Sequence, residues 1–189
     1  ILSAGATVQW LRDGLGMIAR SSEIEALAQS ADPDCGVYLV PAFSGLGAPH
    51  WDPDARGLLC GLSRGAGRAE IARAALDSTV YQTQDLLTAV ASDGVDVRTL
   101  KVDGGMAVND ALMQRLADIC AVETVRPVNA EATAWGAAFL AGLGIGMFSD
   151  LSEAATLWQA ERAFAPQLED AARQRQMAGW HDAVRRTLS

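Results

Sequence analysis

The segment Val102-Asp103-Gly104-Gly105-Met106-Ala107-Val108-Asn109 carries the strongest chemical signal in the chain. Its apolar start reads as a strand, the glycine pair as a turn, and the residues after it as the beginning of a helix. Two glycines at such a junction let the backbone approach a ligand with no Cβ in the way. The helix start then offers unpaired N–H groups to an acceptor. Asn109 stands four residues past Gly105, so its amide can face the same ligand one turn later. A dinucleotide fingerprint requires a third glycine, and Asn109 and Asp110 stand in its place, which argues against a Rossmann NAD site. Other chemistries lack their residues. Lys101 is the only lysine and no G-x-x-x-x-G-K-[ST] occurs, so a P-loop is excluded. No serine sits in a G-x-S-x-G elbow. His50 and His181 lie far apart without metal-ligand spacing. His50 reads as a packing residue of a structured loop, and His181, beside Asp182, as a solvated surface histidine.

The elements that must position this segment follow from periodicity. Val8, Trp10, Leu11, Leu15 and Ile18 recur at helical spacing, which predicts a helix over Ala6–Met17 ended by Gly14 and Gly16. A short helix is expected over Ser22–Gln29, with Ser22 as its cap. Strands are expected over Gly36–Pro41 and Gly57–Leu62, with a Gly-, Pro- and Asp-rich loop between them. The longest helix is placed at Glu70–Ala91. Then come a strand over Arg98–Asp103, a helix over Val108–Ala121, a strand over Glu123–Arg126 and a helix over Ala132–Gly142. That alternation implies crossover connections and short parallel strands. The tail from Asp150 reads as two helices, Leu151–Glu161 and Gln167–Leu188, with no strand. The expected division is a body over residues 1–149 and a helical tail over 150–189.

Composition bounds the partners. Of 189 residues half are hydrophobic and a fifth charged, so the chain can bury a core and is not disordered. A net charge of −8 and a pI near 4.7 argue against nucleic acid or an anionic membrane as partner. Cys35, Cys60 and Cys120 are odd in number and widely spaced, which excludes a disulfide framework and a cysteine zinc site and suits a reducing cytoplasm. Thr133–Ser149 is the longest uncharged run and is too short for a membrane span. Ile1-Leu2-Ser3-Ala4-Gly5 has no basic start and no cleavage site, so it reads as a cut inside a larger protein rather than a signal peptide.

Several spaced motifs resemble one family. Gly57-Leu-Leu-Cys-Gly-Leu62, seven residues, then Glu70-Ile71-x-x-Ala74-Ala75-Leu76-Asp77 fits a signature of the FGGY carbohydrate kinases. Val40-Pro-Ala-Phe-Ser-Gly-Leu-Gly-Ala-Pro-His-Trp-Asp-Pro-Asp-Ala-Arg-Gly57, Tyr81-Gln-Thr83 and Val102-Asp-Gly-Gly105 are similar to the members that act on glycerol. The likeness runs from Gly5-Ala-Thr-Val-Gln9 to Ala178-Gly-Trp180, nearly the whole chain.

The resemblance implies an α/β, ribonuclease H-like fold of the actin and hexokinase type, here part of the C-terminal domain. It implies ATP and Mg²⁺ as cofactors, with Mg²⁺ held mostly by upstream residues. Gly5 and Gln9, with Gly105 and Asn109, match the family's nucleotide contacts. The family's catalytic base, phosphate loop and glycerol-holding residues precede the position of Ile1, so no residue of this span is expected to be catalytic or to ligate metal. Asp103 reads as a cap of the glycine turn or as a water-mediated partner of Mg²⁺. The implied activity is transfer of the γ-phosphate of ATP to glycerol by a cytoplasmic homo-oligomer, with this span inactive alone. Another polyol or ketose such as xylulose, or a non-catalytic assembly module resting on the tail, remain as alternatives.

Overall fold

The computed structural model describes residues 1–129 and 131–189. Helix α1 (Gly5–Gln9) passes directly into a wider π-type turn over Trp10–Gly14. A 3₁₀ turn over Ser21–Glu23 leads into α2 (Ile24–Gln29). Strands β1 (Tyr38–Val40) and β2 (Leu58–Cys60) pair antiparallel, Leu39 opposite Leu59. A loop rather than a crossover helix joins them, which permits that direction.

Helix α3 (Arg68–Ser92) is the spine. Its start is fixed by Glu70, whose carboxylate accepts the Gly67 N–H at 2.7 Å and the Asp32 N–H at 3.3 Å. Those amide bonds hold the Glu70 carboxyl below its ordinary range. Ala72, Ala74, Ala75, Leu76, Ser78, Val80 and Tyr81 are buried along α3 against α2, β1 and α4 (Asp110–Cys120). Small side chains at this density let the packed helices approach closely. Leu112, Met113, Leu116, Ala117, Ile119 and Cys120 are the buried residues of α4. Two carboxylates are also buried on α3. Asp77 accepts a fork from Arg115 at 3.0 and 2.9 Å, and Arg115 also donates to Gln176 at 2.8 Å. This pairing is what makes the burial of Asp77 tolerable.

Strand β3 (Thr99–Lys101) runs parallel to β4 (Glu123–Pro127) across α4, and Val102 extends the contact through its N–H to Val125 O. Beyond α5 (Ala132–Gly144) and α6 (Leu151–Leu157), β5 (Ala160–Phe164) pairs antiparallel with β4. Two expectations are corrected here. Among the described residues the sheets are not all parallel, since β3 and β4 pair parallel while β1–β2 and β4–β5 pair antiparallel, and the tail is not purely helical. Residues 160–164 gain backbone hydrogen bonds to β4 that a solvated helix could not make, and tertiary pairing overrides their helical propensity. Helix α7 (Asp170–Arg185) closes over β1, where Tyr38, Tyr81 and Trp180 form a ladder with ring centres 5.8 and 5.4 Å apart. Helix α5 is apolar yet leaves Trp135 and Leu140 about half exposed or more, so its face lies open.

Candidate functional site

The glycine turn is built as a strand-to-helix junction. Gly104 takes φ of +82°, a left-handed conformation that a side chain strains, and its carbonyl accepts the Ala107 N–H at 3.0 Å. A second turn follows, Asn109 N–H to Met106 O at 3.2 Å. Asn109 then caps α4 with its Oδ1 accepting the Leu112 N–H at 2.7 Å. Asn109 therefore sits at the helix start rather than one turn inside it, and its side-chain oxygen is already engaged. Its Nδ2 has no hydrogen-bond acceptor among the described residues.

This turn forms one wall of a cavity of about 890 Å³. The start of α1, with Gly5 and Gln9, lines the same cavity. All four residues singled out from the sequence thus line the same space. Val8, Ile24, Leu76, Val80, Leu112 and Met113 give it an apolar floor. Gln9, Glu25, Asp103 and Asn109 supply polar groups around it. A Cβ built on Gly5 or on Gly105 would meet nothing within 4 Å, so neither glycine is required by packing of the chain itself. Each leaves bare backbone facing open space. Volume and a largely apolar lining with a few polar groups are those of a small-molecule pocket.

Sequence reasoning did not assign Glu25, Thr79 or Thr83 to the site, nor Ser21 and Ser22, which also line it. Glu25 accepts the Gln29 amide at 3.3 Å and the Ala111 N–H at 3.5 Å, joining α2 to the start of α4. Thr79 and Thr83 face the cavity from α3, and the Thr79 hydroxyl is buried with no hydrogen-bond partner among the described residues. Their signal in the sequence was weak, because a polar residue every fourth position on a long helix also fits a solvated face. Asp103 is exposed and has no side-chain hydrogen bond among the described residues, so it does not cap the turn.

The histidines lie elsewhere. Asp85, buried on α3, accepts Trp180 Nε1 at 2.7 Å and lies 3.0 Å from His181 Nε2 and 3.7 Å from His50 Nε2. His181 is exposed, in keeping with a surface histidine, and its ring also meets the buried Asp85. His50 is partly buried, and its Nε2 has no hydrogen-bond partner among the described residues. Neither lines the large cavity. A second, smaller cavity of about 150 Å³ lies between β1, α3 and α7, with Tyr38, Arg73 and Arg175 in its wall.

Residues 1–145 match the FGGY family of carbohydrate kinases, C-terminal domain. The chain is 53% identical over 191 residues to a glycerol kinase of Gluconobacter oxydans and 54% identical over 190 residues to one of Shewanella amazonensis. Each alignment takes in the whole of this chain but only 37% and 38% of those relatives. Among solved structures, a Plasmodium falciparum glycerol kinase with ADP superposes with a TM-score of 0.85 at 33% identity, over 98% of this chain and 37% of that one. The α/β fold class of the actin and hexokinase type, expected from the sequence, is the fold of these kinases.

Proposed function

The chain belongs to the FGGY family of carbohydrate kinases, and from that membership we propose that its large cavity holds the adenosine end of ATP in a kinase phosphorylating glycerol. One observation carries the reading: Gly5 with Gln9, and Gly105 with Asn109, line one and the same cavity. Each pair sets bare backbone near an amide side chain, one helical turn on in Gly5–Gln9 and at the cap of α4 in Gly105–Asn109. The base lies on the apolar floor, and the glycines let backbone N–H groups reach the ribose and phosphates. Such contacts position the γ-phosphate for attack by a glycerol hydroxyl, and positioning is the larger part of phosphoryl-transfer catalysis.

Mg²⁺ belongs to this reading as the ion that neutralises the transferring phosphate. The residues present fit it only in part. Asp103 offers one carboxylate on the cavity wall, suited to a water-mediated contact with an ion held by phosphates. Among the described residues no group of three ligating side chains exists. The catalytic base is assigned to no residue of this span. Three free cysteines accord with a cytoplasmic setting. The open face of α5 accords with self-association. No helix of the described residues is long and apolar enough to cross a membrane.

Calorimetric titration of the protein with ADP and with GDP tests the site. Binding of ADP in preference to GDP is expected, with affinity lost in a Gly105→Val variant. Equal binding of both, or binding indifferent to Gly105→Val, would refute it.

A further inference from the structure

The glycine turn is held from behind by a residue that lies far from it in sequence. Within the turn only the Ala107–Gly104 and Asn109–Met106 backbone bonds close the chain on itself. Behind it lies Arg126 of β4, 7% exposed. Its Nη1 donates to the Ala107 carbonyl at 2.9 Å and to Asp110 Oδ1 at 2.8 Å. Its Nε and Nη2 fork onto Glu161 of β5 at 2.7 and 3.2 Å. The other oxygen of Asp110 accepts from Arg162, also on β5. One buried guanidinium thus ties three things together: the turn, the first residue of α4, and a strand outside the family match that ends at residue 145.

We propose that Arg126, braced by Glu161, is a positioning residue for the nucleotide wall of the cavity. A buried guanidinium is tolerated only when its donors are satisfied in a fixed geometry. The Ala107 carbonyl is therefore pinned at the place where Arg126, set by its fork to Glu161, can reach it. Gly105 lies two residues before that carbonyl and Asn109 two residues after it. A shift of the carbonyl moves both nucleotide groups together. Strand β5 is needed for this because Glu161 fixes the guanidinium plane. A lysine in place of Arg126 cannot reproduce the effect, since a single ammonium lacks the planar fork.

This inference rests on the nucleotide reading of the cavity for its consequence, and on the turn itself for its geometry. The test measures both. Amide hydrogen exchange is followed across the protein, and ADP affinity is read by calorimetry, for the unaltered protein and for Arg126→Met, Arg126→Lys and Glu161→Gln. The expected result is faster exchange confined to residues 104–112, with α3 amides unchanged. With it, ADP affinity falls about tenfold in Arg126→Met, and less in Arg126→Lys and Glu161→Gln. Should Arg126→Met not fold, Glu161→Gln decides, because it loosens the fork and leaves the arginine in place. Unchanged exchange in the turn, or unchanged ADP affinity beside faster exchange, would overturn the proposal. If the unaltered protein binds no ADP, the nucleotide reading fails instead, and exchange in the turn still decides whether Arg126 holds it.

Discussion

Asn109 does two jobs with two different atoms, and substitution separates them. Its Oδ1 accepts the Leu112 N–H at 2.7 Å and caps α4, while its Nδ2 has no protein acceptor among the described residues and stands at the cavity wall. Asn109→Ala removes both. Loss of the cap costs about 1 kcal/mol of stability. For a protein of this size that lowers Tm by roughly 2–4 °C. Loss of one neutral hydrogen bond to the nucleotide costs about 0.5–1.5 kcal/mol, or roughly threefold to tenfold in ADP affinity. Asn109→Asp keeps an acceptor oxygen at the helix start and adds a charge that the helix N-terminus favours. It has no N–H donor to offer. Stability should therefore return to that of the unaltered protein while ADP affinity stays low. Denaturant titration reads the first and calorimetry the second. If Asn109→Asp recovered ADP affinity along with stability, the residue would be a cap and nothing more.

Gly105→Val should leave Tm within about 2 °C of the unaltered protein, since a Cβ there meets open space, yet reduce ADP binding by about tenfold or more. Thermal melts and titrations of one preparation check both halves. Asp85→Ala strands the Trp180 indole N–H in the core and should cost about 1–3 kcal/mol in denaturant titrations without altering ADP affinity. Cys120 is buried, and burial pushes its thiol from 9.0 up to about 12. Iodoacetamide at pH 8 should leave it unlabelled until the protein is unfolded. Above pH 9 only the unfolded thiol ionises, so this residue makes stability fall as pH rises toward 12, by roughly 1.4 kcal/mol per pH unit. A Cys120→Ala variant should flatten that slope.

What the sequence made legible divides along physical lines. The helix at 68–92, the strand before Asp103 and the glycine turn were readable because their signals are local: periodicity, β-branched runs and paired glycines. Asn109 was found as a candidate, but its capping role was missed because the helix start was placed at Val108. Asn followed by Asp110-Ala111-Leu112 is itself a cap signal. Strand β5 was not legible. Glu161 and Arg162 look like the polar face of a helix, and only the pairing with β4 makes them strand residues. The carboxylates of Asp77 and Asp85 were hidden for the same reason. Arg73, four residues before Asp77, is a local partner at 3.5 Å, but Arg115, Trp180 and His181 stand 38, 95 and 96 residues from the carboxylates they meet and no local pattern announces them. The π-type turn after Gln9 has the composition of an ordinary helix and left no trace.

The central claim is that one cavity, walled by the start of α1 and the glycine turn, receives a nucleotide. Proton–nitrogen correlation spectra of the isotope-labelled protein, recorded across an ADP titration, test it most directly. The expected result is saturable shifts at Gly5, Gln9 and Gly104–Asn109, with Tyr38, Arg73 and Arg175 around the smaller cavity unmoved. Shifts centred on that smaller cavity, or no shifts in the turn at millimolar ADP, would contradict it.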